Sequence, residues 1–140
     1  MDTTAGAIEG LALWIPPGDG LVSVTRAAPR TIVTVPLRLR TAYRRFRAYT
    51  EWNFAVQRRA HPGDALFLSG LGVEPERQGR GIGSALLEAG LAREPRADAV
   101  LLTNNAANIP FYERHGFAVV RDEPMPGGGP PTWAMVRQAG

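Results

Sequence analysis

The chain has 140 residues, 44% of them hydrophobic and 21% charged, the balance of one globular domain with enough apolar material for its own core. It has no cysteine, which excludes disulfides, thiolate nucleophiles and cysteine-ligated metals. Its net charge of +3 is carried without a single lysine, which excludes a Walker phosphate loop and a Schiff-base lysine.

His61 and His115 lie far apart and match no metal-ligand spacing, so no metal is expected. The charge excess is too small to mark a nucleic-acid partner, and no apolar run is long enough to span a membrane. The segment MDTTAGAIEG lacks the basic start and apolar stretch of a secretory leader, so a cytoplasmic location is the default expectation.

Residues 6–15 read as a strand, closed by Pro16-Pro17-Gly18. Residues 19–35 are ambiguous, because LVSVT and TIVTV alternate but are short. Residues 36–60 read as a helix, with Ala42, Phe46, Tyr49, Asn53 and Val56 on one face and Leu39, Tyr43 and Trp52 flanking it. Arg40, Arg44, Arg47 and Arg58 take the other face. Residues 65–73 form a short apolar run with two glycines, expected to be a buried strand with a bulge or bend near its end.

After a polar turn, residues 81–93 read as a helix with Ile82, Ala85, Leu86 and Ala89 on one side, stopped by Pro95. A strand is expected over 99–103 and a short helix over 108–115, capped by a left-handed Gly116. Two final strands are expected over 117–121 and 132–136, joined by the turn-rich PMPGGGPP. No repeat or second domain is visible, so residues 1–140 are expected to form a single domain.

The informative segment is LFLSGLGVEPERQGRGIGSALL, residues 66–87. A strand runs into a tight turn, and Gly79, Gly81 and Gly83 open a helix. Removing side chains there bares the unpaired N–H groups of the first turn, and the helix dipole adds positive potential. Arg77 and Arg80 add charge nearby. This arrangement suits a phosphate or diphosphate. A dinucleotide fingerprint fails, because neither Gly79 nor Gly81 has a glycine at the sixth position.

The pattern that fits is Q-x-x-G-x-G, met by Gln78, Gly81 and Gly83 and preceded by Val73-x-Pro75. It resembles the acyl-CoA-binding motif of the GNAT acetyltransferase superfamily. NNAANIPFYERHGF, residues 104–117, resembles that family's second motif. The resemblance is strongest over residues 61–137 and looks most like the puromycin N-acetyltransferase-like branch. It implies an α+β, three-layer GNAT fold with a mixed central sheet and flanking helices.

It also implies an acetyl-CoA-dependent N-acetyltransferase acting on a small-molecule primary amine, with acetyl-CoA as cosubstrate. The resemblance places Leu71, Gly72, Val73, Gln78, Gly79, Arg80, Gly81, Ile82, Gly83, Ser84 and Asn108 at the cofactor. An N–H near Val73 would face the thioester oxygen. Tyr112 would sit near the sulfur as general acid, a role a phenol protonated at neutral pH can fill.

The chain departs from the family pattern in three ways. AGAIEGLALWIPPG resembles the third strand of that fold, and the elements before it have no counterpart here. The shortened sheet would expose an edge strand, which pairing in a homodimer would cover. Leu102 stands where related sequences often carry a glutamate. No general base is evident: Glu51, His61, Asp64 and Glu74 read as surface or turn residues, and Phe67 stands where some relatives place a glutamate. The alternative reading is a non-catalytic acyl-CoA-binding module.

Overall fold

The computed structural model describes residues 8–18 and 39–140. Their strands are β1 Gly10–Ile15, β2 Leu66–Val73, β3 Ala99–Thr103, β4 Ala118–Pro124 and β5 Pro131–Arg137, joined in one sheet of order β1-β2-β3-β5-β4. Only β2 and β3 are parallel. A parallel pair needs a crossover, which here contains helix α2, Ile82–Leu91. Helix α1, Arg40–Ala60, precedes β2, and the short helix α3, Ile109–Glu113, follows β3. The sequences LVSVT and TIVTV fall outside the described residues.

Strand alternation assigns the layers. Leu66, Leu68, Ala99, Leu101 and Met135 point to one face, where they form a buried cluster with Leu87 of α2, Tyr112 of α3 and Phe117. Val100, Thr132 and Ala134 alternate to the other face and are just as buried. There α1 crosses β3, β5 and β4 and buries Val56 completely. The result is the mixed sheet between helical layers that the sequence led us to expect.

Two helix faces differ from that expectation. On α1 the apolar residues of the first turns do not reach the core: Tyr43 is 52% and Phe46 67% exposed, and Ala42 is exposed as well. A helix of this length runs about 31 Å, longer than the short strands beneath it, so its first half overhangs the sheet. On α2, Ala85 and Ala89 are exposed, and the buried residues are Leu87 and Gly90. The helix presents glycine to its neighbours. At Gly83 the Phe111 ring approaches within 3.5 Å of where a Cβ would lie, and at Gly90 the Trp14 indole comes within 2.0 Å. Counting only apolar side chains therefore rotated the predicted face.

A bulge lies in β2, at the middle of the strand rather than near its end. Leu13 pairs with Gly70 but Trp14 with Leu68, so Ser69 is the extra residue and the strand bends there. β1 is one edge of the sheet among the described residues, with Leu11 63% and Leu13 56% exposed.

The Gly90 contact gives a stability prediction. Alanine there has the better helix propensity by about 1 kcal/mol. It would also drive a methyl into a buried indole, and overpacking of this kind costs about 1–3 kcal/mol. Gly90→Ala is therefore expected to lower the urea unfolding midpoint, with the m-value unchanged. A midpoint equal to or above wild type would show that Trp14 has room to move.

Candidate functional site

The cleft begins where β2 and β3 part. They pair only from Leu66–Ala99 to Leu68–Leu101, after which β2 continues along β1 and β3 along β5. The unshared backbone groups of the two inner edges line the gap. Their direction follows from the antiparallel pattern. The Glu74 N–H donates to the Glu9 carbonyl at 2.8 Å, which places Glu9/Glu74 at a hydrogen-bonding position of the ladder and its neighbour Gly10/Val73 at a non-bonding one. Val73 and, two residues back, Leu71 therefore turn their N–H and C=O away from β1, toward the gap. The Gln78 side-chain amide donates to the Val73 carbonyl at 3.1 Å, which leaves the Val73 N–H facing the cleft.

Two cavities occupy the gap, of about 480 Å³ and 310 Å³, and they share Leu71, Asn108 and Tyr112. The larger runs over the start of α2. Gly79 and Gly81 adopt φ of 75° and 82°, the left-handed region where a side chain is strained. No side chain caps Gly81, and the first turn of α2 holds no acidic residue. The N–H groups of Ile82, Gly83 and Ser84 thus lack helical acceptors and border the cavity. Arg77 and Arg114 stand on its rim, and no carboxylate lines it. These donors fit a diphosphate, and Leu71, Val73 and Phe111 give the same cavity an apolar wall.

The smaller cavity passes through the sheet. Leu102 and Asn104 border it together with Tyr112, which belongs to the opposite helical layer. Tyr112 is 9% exposed, and burial alone raises its pKa; no hydrogen bond or charge offsets the shift. Asn108 reaches the Thr103 hydroxyl at 3.5 Å. Asn104 closes the other end. It accepts from the Tyr49 hydroxyl of α1 and donates to the Pro131 carbonyl and the Thr132 hydroxyl.

The structure thus brings together Leu71, Val73, Gln78, Gly79, Gly81, Ile82, Gly83, Ser84, Asn108 and Tyr112. Two expected residues are not among them. Gly72 belongs to a hydrogen-bonded pair with Leu11 and borders a separate groove over β1, and Arg80 lines neither part of the cleft. Phe111 and Arg114, which sequence reasoning missed, follow Asn108 at successive spacings of three residues; helical spacing from Asn108 is the signal that would have found them.

His61 has a structural partner rather than a substrate. Its Nε2 lies 3.0 Å from Asp98 Oδ2, joining the loop before β2 to the start of β3. Among the described residues no group of His, Asp or Glu has a metal-binding arrangement, and no helix is long and apolar enough to cross a membrane.

A mixed sheet whose central parallel strands part above a glycine-opened helix frames a cleft with unpaired N–H donors at one end. The family described as the acetyltransferase (GNAT) domain matches residues 43–119, just over half of the sequence. The chain belongs to the GNAT acetyltransferase family. A mycothiol acetyltransferase of Propionibacterium freudenreichii is 36% identical over 74 residues, covering 49% of this chain and 23% of that protein.

Among solved structures, a histone acetyltransferase HPA2 and related acetyltransferase from Corynebacterium glutamicum superposes with a TM-score of 0.60 at 23% identity, over 98% of this chain and 61% of that one. A mosquito arylalkylamine N-acetyltransferase-like protein gives 0.54 at 19% identity, over 91% and 66%. These two likenesses show the fold. The chain spans about a quarter of the curated relative's length.

The His61–Asp98 pair sets a pH dependence. The hydrogen bond to Asp98 raises the imidazole pKa, and the Asp98 carboxyl is lowered, first by the Ala139 N–H and then by His61. A raised histidine stabilises fully below its unfolded value of about 6.5, and the benefit is lost as pH rises through the folded value. A lowered aspartate stabilises above about 3.9, and its benefit is lost as pH falls through the folded value. Thermal unfolding should therefore show a plateau between these limits. His61→Gln should remove the decline on the alkaline side while leaving CoA binding intact; lost CoA binding in that variant would place His61 in the site.

Proposed function

We propose that this chain is an acetyl-CoA-dependent N-acetyltransferase whose acceptor is a small-molecule primary amine, with Tyr112 as the general acid. The observation that carries the reading is the continuity of the cleft. Uncapped α2 amides stand at one end and a buried phenol at the other, with Leu71 and Asn108 common to both parts. Acetyl-CoA supplies the activated acyl group.

The residues divide the work. The amides of Ile82, Gly83 and Ser84, with Arg77 and Arg114, hold the diphosphate. Leu71, Val73 and Asn108 guide the pantetheine arm, and the inward Val73 N–H donates to the acyl oxygen as negative charge develops there. The acceptor nitrogen forms its bond to the acyl carbon as the carbon–sulfur bond breaks. Tyr112 gives its proton to the departing sulfur, and the proton shed by the acylated nitrogen returns through water to the phenolate; the raised pKa of the phenol keeps its proton in place beforehand.

The acceptor class follows from the other end of the cleft. The relatives are named for mycothiol, histones and arylalkylamines, so names do not choose. Tyr49 bonded to Asn104, and Asn104 bonded to β5, pin α1 across the opening. The remaining space of about 310 Å³ suits a small amine better than a polypeptide segment. Leu102 gives it an apolar wall in place of a charged partner. Apart from Tyr112, its lining residues carry no titratable side chain. The amine must therefore react from its own unprotonated fraction.

Two outcomes are expected. With a panel of small amines, Tyr112→Phe should lower kcat by about 10²- to 10⁴-fold, with the Kd for CoA changed little. An unchanged kcat would remove Tyr112 from the reaction. In the wild type, log kcat/KM should rise with pH along the ionisation of each amine used, not along one enzyme group common to all. Tight CoA binding without turnover on any amine would select the non-catalytic module instead.

A further inference from the structure

We propose that Ser84, His115 and Glu88 form a proton-coupled anchor for the diphosphate, in which a protonated His115 frees the Ser84 hydroxyl to donate to the bound anion. The proposal rests on the acetyl-CoA reading above. Ser84 is the third residue of α2 and borders the larger cavity beside Gly83. Behind it, His115 Nε2 lies 3.1 Å from the Ser84 Oγ. On the far side of the ring, Nδ1 lies 3.6 Å from Glu88 Oε1. Ser84 and Glu88 are one helical turn apart and so face the imidazole together. The ring is held in place: its side chain is 12% exposed, and it meets the Phe111 ring edge-on at 5.0 Å between centroids.

Proton placement decides what Ser84 can do. The carboxylate beside Nδ1 favours a proton on that nitrogen. A neutral ring protonated there has a lone pair at Nε2. The Ser84 O–H then donates to His115, and the oxygen turns its lone pairs toward the cavity. An anion arriving in that state meets an acceptor. A ring carrying both protons donates from Nε2 to the serine oxygen. The hydroxyl proton is then free to point at a phosphate oxygen, with the imidazolium charge one hydroxyl away. The anion therefore binds the charged ring better, and by linkage its binding takes up a proton.

Other charges act on the ring as well. Glu88 reaches it from α2, and Glu113 and Arg114 precede it in the chain at the end of α3. Arg137 of β5 and Gly140 border, with His115 and Glu88, a third cavity of about 370 Å³.

Titration calorimetry with dephospho-CoA, in buffers of different ionisation heat, tests the anchor. This ligand keeps the diphosphate and lacks the phosphate monoester, a group that itself titrates near pH 6. Uptake of a fraction of a proton per ligand is expected, the same in every buffer once its ionisation heat is subtracted. Affinity should be roughly five- to tenfold weaker at pH 7.5 than at pH 5.5. Ser84→Ala, His115→Gln and His115→Phe should still bind but lose both the proton uptake and the pH dependence. In the wild type, the His115 imidazole resonance should titrate at higher pH with dephospho-CoA than without it. Binding without proton uptake, or uptake that persists in Ser84→Ala, overturns the anchor and leaves the acetyl-CoA reading standing. Failure of both dephospho-CoA and CoA to bind at any pH overturns both.

Discussion

After Leu68 and Leu101 the two central strands of the sheet stop sharing hydrogen bonds, and the rest of the site is arranged around that separation. Backbone groups inside a sheet are normally paired, so a gap between parallel strands needs both a cause and a use. The cause lies in β2. Ser69 is an extra residue in β2, and Gly70 and Gly72 follow it, so the strand turns to stay with β1 while β3 stays with β5. The use is a row of inward N–H and C=O groups of known direction, with α2 and α3 closing one side and the Tyr49–Asn104 contact the other.

Two features determine what the gap can hold. A helix whose N-terminus lacks a capping side chain and an acidic first turn leaves three donors without protein acceptors. The glycines before it take backbone angles that expose those donors. At the other end, a phenol buried without a hydrogen bond or an opposite charge is held protonated. A single ligand that is anionic at one end and becomes a leaving thiolate at the other satisfies both.

The glycine-opened start of α2 was legible in the sequence because it depends on the absence of side chains: Gly79 and Gly81 take the left-handed backbone angles their type suggests. Strand β3 was placed residue for residue because it is short, apolar and buried on both faces. Tyr112 was legible through its motif, and the structure puts it on both cavities. What could not be read depended on which way neighbouring elements lean. Gly72 sits between two residues that face the gap, but alternation turns it toward β1. The buried face of α2 was misplaced because Gly83 and Gly90 pack by admitting the rings of Phe111 and Trp14, and a periodicity count gives glycine no weight. The first half of α1 has a core-like pattern with no strand long enough to receive it.

One feature of β1 reaches beyond the edge it forms. Gly10 lies under Ile82 and Leu86, Trp14 fills the notch at Gly90, and Glu9 accepts from the Glu74 N–H and pairs with Arg77. This strand, an edge among the described residues, is thus the foundation on which α2 and the loop before it are laid. Frayed ends and bound neighbours act first on a border strand, so in this protein disturbance at the perimeter is transmitted within one side-chain layer to the donors at the mouth of α2.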